Sequence, residues 1–125
     1  MKTKNGINFY KYAKNIIPGG TTLFSKRSEL HLPDKWPSYY SRAKKINIWD
    51  LKGIKYLDMF CAVGTSILGY NNHRLNKSVI NNIHKGNMTT LNCPEEVFLA
   101  KEIIKHHHWA SMAKFTRGGG EANAV

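Results

Sequence analysis

Apolar residues recur at helical spacing in three stretches of the chain and form short extended runs in three others. Phe9, Tyr12, Ala13, Ile16 and Ile17 share one helical face, and Pro18 ends that pattern. Pro18-Gly19-Gly20 then breaks the chain into an irregular segment that runs to about Tyr40, with Pro33 and Pro37 inside it. Ile46 to Trp49 and Ile54 to Met59 read as two short strands. Asp50-Leu51-Lys52-Gly53 between them puts Asp and Gly where a hairpin turn uses them.

Leu75, Val79, Ile80 and Ile83 predict a second helix with one buried face, terminated by Gly86. The third is signalled at its start by Asn92 as cap, Pro94 in the first turn, and Glu95 and Glu96 at the positive end of the dipole. Val97, Ala100, Ile103 and Ile104 are its expected buried face, and Lys105 with His106 to His108 closes it at the negative end. Three consecutive side chains on a helix point about 100° apart and do not converge on one ion, so no metal site is expected there. Met112 to Thr116 reads as a strand leading into Arg117-Gly118-Gly119-Gly120, and Glu121 to Val125 reads as a helix just beginning. The expected fold class is therefore an α+β piece whose last element is cut short.

With 125 residues, 42% of them hydrophobic and 22% charged, the composition fits an ordered domain rather than a disordered segment. No apolar run approaches the roughly 20 residues of a membrane span, and the polar, Lys-rich stretch from Met1 to Tyr12 has no apolar h-region, so a secretory signal is not expected. Cys61 and Cys93 stand far apart, which suits two small buried hydrophobes of a reducing compartment; a cytoplasmic location is expected. The net charge of +11 raises the question of a polyanionic partner. Lys and Arg are scattered along the whole chain, however, and no nucleic-acid-binding signature accompanies them, so nucleic acid is not the expected partner.

Several segments, in order, resemble class III pyridoxal-phosphate-dependent aminotransferases, and more narrowly the glutamate-1-semialdehyde aminomutases. Ile17-Pro18-Gly19-Gly20-Thr21 resembles the family's opening PGG segment, and Ile48 to Met59 its WD-x-DGN-x-Y-ID hairpin. Ile67-Leu68-Gly69-Tyr70 is similar to the ILGH turn, and Asn92-Cys93-Pro94-Glu95-Glu96 with Leu99-Ala100 to the x-P-x-E-x-x-LAE helix start. Phe115 to Ala122 resembles the strand, SGTEA loop and helix around the cofactor phosphate. Leu32 to Pro37 and Thr90 to Pro94 look like signatures of a subgroup acting in nucleotide-sugar or surface-polysaccharide pathways.

The resemblance implies a piece of a fold-type-I transferase, several times longer when whole and normally a homodimer. Residues 1–70 would form the amino-terminal arm and hairpin, and 71–125 the beginning of the α/β large domain. It implies pyridoxal 5'-phosphate as cofactor and a small-molecule amino donor or acceptor as substrate. Gly118, Gly119 and Gly120 would then form the phosphate cup, where backbone N–H groups at a helix start favour an anion. Ser25 and Arg27 fall, one residue out of register, where the family holds the substrate carboxylate, which the Arg fork suits. The bland reading of Arg27 is an exposed surface arginine.

The chain also departs from the family. Gly118 and Gly120 stand where it has Ser or Thr, and each lost charge-assisted hydrogen bond is worth about 1.5–3 kcal/mol. Val63 stands where the aminomutase has a tryptophan, which argues for a different amino donor or acceptor. Neither Lys114 nor any other lysine lies in the family's cofactor-lysine motif, so no catalytic residue is assigned and the chain alone is expected to be inactive. Two other classes stay open: a non-enzymatic remnant or structural partner, and a basic nucleic-acid-binding module.

Overall fold

The computed structural model describes residues 5–124. Met1 to Lys4 of the Lys-rich start, and Val125 of the expected last helix, lie outside the described residues. The chain divides between His84 and Lys85 into two compact units.

The first unit opens with α1 (Gly6–Ile16). Asn5 caps it, its side chain accepting from the Ile7 and Asn8 N–H groups at 3.1 and 3.3 Å. Ile17 turns extended and Pro18 follows, so the helix stops where the sequence indicates. The inner face of α1 carries Tyr10 and Ala13, the only buried hydrophobic side chains among the described residues. That face packs on the Pro18–Gly20 turn. Two further 3-10 turns, Phe24–Lys26 and Ser28–Leu30, carry the chain onward. Ser28 is buried, and its hydroxyl meets that of Ser38 at 2.5 Å.

Three antiparallel strands follow in the order β1 (Tyr40–Lys44), β2 (Asn47–Asp50), β3 (Lys55–Leu57). The hairpin expected around Asp50-Gly53 joins β2 to β3, with Trp49 opposite Lys55 and Asn47 opposite Leu57. Asp50 builds that turn: its Oδ1 accepts from the N–H of Lys52 at 2.9 Å and of Ile54 at 2.8 Å, while Gly53 supplies φ of 85°. Strand β1 was not expected from the sequence. It pairs along β2 with a bulge between Tyr40 and Arg42, and the Arg42 guanidinium lies 4.1 Å over the Trp49 ring.

Past β3, Tyr70 closes the loop against the end of β1, exchanging backbone hydrogen bonds of 2.8 and 2.7 Å with Lys45. Its hydroxyl donates to the Asp58 carboxylate, and burial with that bond pushes its pKa up to about 12. Asn72 caps α2 (His73–Lys85) through the N–H groups of Arg74 and Leu75.

The second unit holds α3 (Pro94–His106) and α4 (Gly119–Ala124). Three expectations are corrected here. Cys93, not Asn92, is the N-cap of α3; it makes no side-chain cap bond, and its thiol donates instead to Glu95 at 2.8 Å. Met112 to Thr116 forms no strand, because no other strand of the described residues pairs with it and a ladder needs a partner. Finally, neither α2 nor α3 has a buried residue: Leu75, Val79, Ile80 and Ile83 of α2 and Val97 of α3 are exposed, while Ala100, Ile103 and Ile104 of α3 are only partly covered.

Candidate functional site

The Pro18–Gly20 turn is made by two left-handed glycines, Gly19 at φ 73° and Gly20 at φ 74°. An added Cβ would collide at both, with packed atoms at Gly20 and with the movable end of a side chain at Gly19. A Cβ on Gly20 would lie 2.7 Å from Cε2 of Tyr10 and 2.8 Å from Cγ of Lys14. On Gly19 it would lie 2.7 Å from Cζ of Arg27. The PGG segment is thus a seat, with α1 pressed on one glycine and the Arg27 guanidinium on the other. Phe24 flanks that guanidinium, its ring centroid 5.1 Å from Cζ.

Arg27 is half-buried, and its Nε is buried with no hydrogen-bond partner. An orphaned buried donor costs about 1–3 kcal/mol, so the site holds an unused demand for an acceptor. This is not the environment of a free surface arginine. Ser25 lies on the preceding turn and is exposed; its carbonyl oxygen is 2.9 Å from His31 Nε2. The His31 ring stacks on Trp36 at 4.4 Å and meets Phe60 edge-on at 6.2 Å, which pins the turn that carries Ser25.

Three residues around this seat escaped the sequence reading. The Tyr10 hydroxyl donates to Glu29 Oε2 at 2.8 Å and is shared with the Gly19 carbonyl oxygen at 3.1 Å. Lys14 Nζ donates to Glu29 Oε1 at 2.8 Å. The Lys14 bond, with backbone and Tyr10 hydrogen bonds, lowers the Glu29 pKa from 4.5 to about 2. Burial, then the Glu29 bond, raises Tyr10. A signal was there: Tyr10 and Lys14 are one turn apart, and Glu29 is the first carboxylate in the chain.

In the second unit, Gly118 precedes α4, and Gly119 and Gly120 form its first turn rather than a loop. A Cβ on any of the three would meet nothing within 4 Å, so the chain's own packing does not demand glycine here. The Arg117 N–H is taken by Glu121 at 2.9 Å, and the Thr116 hydroxyl by the Gly118 carbonyl oxygen at 3.2 Å. The first-turn N–H groups of Gly119 and Gly120 have no helical acceptor before them. Among the described residues no group of three His, Cys, Asp or Glu could hold a metal ion, and no helix is long and apolar enough to cross a membrane.

This fold is that of a piece of a fold-type-I pyridoxal-phosphate enzyme. The FumI protein of Sphingopyxis sp. MTA144, solved as its pyridoxal phosphate internal aldimine, matches with a TM-score of 0.86 at 26% identity, over 98% of this chain and 29% of its own. By sequence the resemblance narrows to the glutamate-1-semialdehyde 2,1-aminomutases and related aminotransferases. The enzyme of Methanobrevibacter smithii is 30% identical over 92% of the chain, and that of Wigglesworthia glossinidia brevipalpis 33% over 95%. The 3-aminobutyryl-CoA aminotransferase of Cloacimonas acidaminovorans is 26% identical over all of it. No family model matches. The chain spans less than a third of the length of these relatives, at 26%, 27% and 30%.

Proposed function

We propose that this chain contributes the substrate-carboxylate and cofactor-phosphate elements of a pyridoxal-phosphate-dependent aminotransferase or aminomutase. The observation that carries the reading is the likeness in fold and sequence to a pyridoxal phosphate enzyme across nearly the whole chain. In this reading, residues 1–70 form the arm and hairpin and 71–125 begin the large domain of a cytoplasmic homodimer.

Each residue then has a stated task. Arg27 binds the carboxylate of a small amino donor or acceptor through its fork, with Ser25 beside it. The unpartnered Arg27 Nε and the shaped PGG seat support that task. Gly118, Gly119 and Gly120 receive the cofactor phosphate on backbone N–H groups at the start of α4. When bound, pyridoxal phosphate supplies the electron sink for chemistry at the amino-bearing carbon. No residue of the proposed sites is a lysine that would hold the cofactor covalently or move a proton at that carbon. The chain alone is therefore inactive.

The test is an NMR titration of the labelled chain with pyridoxal phosphate, alongside an assay with an amino donor and a keto acid. Amide shifts centred on Gly118 to Glu121, without turnover above the free cofactor, are expected. Turnover by the chain alone, or shifts confined to other segments, would overturn the assignment.

A further inference from the structure

The Tyr10 hydroxyl touches both parts on which the placement of Arg27 depends. It bonds the carbonyl of Gly19, the glycine against which the guanidinium lies, and it bonds Glu29, two residues beyond Arg27. Lys14, on the same face of α1, holds the other oxygen of Glu29. The seat and the chain carrying the guanidinium are thus tied to one helix through one phenol. The Tyr10 ring is itself packed on Gly20.

We infer that Tyr10 and Glu29 are positioning residues for Arg27: together they fix the PGG turn and the Arg27 backbone so that the guanidinium is presented to a carboxylate without rearrangement. The inference rests on the reading of Arg27 as the carboxylate-binding residue. An arginine left to its own rotamers loses side-chain entropy when it binds. Held on Gly19 and over Phe24, Arg27 has already lost much of that freedom. The brace does not touch the ligand and acts only through Arg27. It also uses a charged acceptor, so the hydroxyl bond is of the stronger, charge-assisted kind.

The experiment follows the Nε–H signal of Arg27 by NMR in the 125-residue chain, with Arg74 as an exposed control. Wild-type Arg27 Nε–H is expected to exchange more slowly than that of Arg74 and to shift on titration with glutarate as the carboxylate probe. Tyr10→Phe keeps the ring on Gly20 and removes the hydroxyl. It is expected to speed Arg27 Nε–H exchange about tenfold, roughly the effect of one net hydrogen bond, and to weaken the glutarate response, with the amide spectrum of the sheet unchanged. Unchanged exchange in Tyr10→Phe overturns the inference. Should that variant fail to fold, Glu29→Gln decides: it removes the charge but keeps an acceptor, so a several-fold faster exchange supports the brace and wild-type exchange overturns it. Absence of any glutarate shift in the wild type, with exchange still faster in Tyr10→Phe, would refute the carboxylate reading while leaving the brace standing.

Discussion

Gly19 and Gly118 look alike in the sequence and are opposites in the structure. At Gly19 the left-handed φ of 73° disfavours a side chain, and an added Cβ would push the Arg27 guanidinium aside. Gly19→Ala should therefore cost about 1–3 kcal/mol, because left-handed backbone strain is added to displacement of the guanidinium. Gly118→Ala, with nothing within 4 Å of the added methyl, should change stability by no more than about 0.5 kcal/mol. Thermal melts at low salt compare the two; equal effects would show that the PGG seat is not under the constraint described. Glu29 gives a residue-scale pH dependence. Its pKa falls from 4.5 to about 2 on folding, so the stabilisation is fully present above pH 4.5 and is lost as pH falls toward 2. Glu29→Gln should flatten that part of the acid-unfolding profile, read by circular dichroism, and an unaltered profile would count against the brace as drawn.

Among the elements, the hairpin is the one that a single side chain controls. Asp50→Ala removes the acceptor for the Lys52 and Ile54 N–H groups and for the Tyr56 hydroxyl, which lies 3.3 Å from Oδ2. Hydrogen exchange at those two amides should quicken about tenfold, while Asp50→Asn, which keeps an acceptor oxygen, should change it little. The elements legible in the sequence were those whose signals are local. The Pro18 stop, the Asp50-Gly53 turn and the stripes of α2 and α3 each sit within a few residues of what they determine. What was missed depends on distant partners. Tyr-Ser-Arg-Ala-Lys in β1 has neither alternation nor β-branching and becomes a strand only by pairing with β2. The apolar run from Met112 to Thr116 has the composition of a strand and no partner among the described residues. The same holds for the site: the PGG motif and Arg27 were visible, but the brace joins Tyr10 to a carboxylate nineteen positions away, and no periodicity reports such a pairing.

At the scale of the whole molecule, the balance is between apolar surface and like charge. Only Tyr10 and Ala13 are buried hydrophobics among the described residues, while the stripe of α2 remains exposed, from Leu75 at 50% to Val79 at 57%, as does Val97 of α3 at 68%. Such stripes favour association because burying apolar area is worth about 25 cal/mol per Å². The net charge of +11 opposes it, since every copy repels every other. That repulsion reaches about 30 Å in 0.01 M salt and only about 10 Å in 0.1 M, whereas the apolar attraction is not screened. The chain should therefore be largely monomeric at low ionic strength and associate as salt is raised, with a broad melt in either condition because so little of it is core. Sedimentation velocity and thermal melting across that salt range provide the measurement. A monodisperse monomer with a sharp cooperative melt at both ends would mean that the exposed stripes are covered in solution by packing within the chain itself.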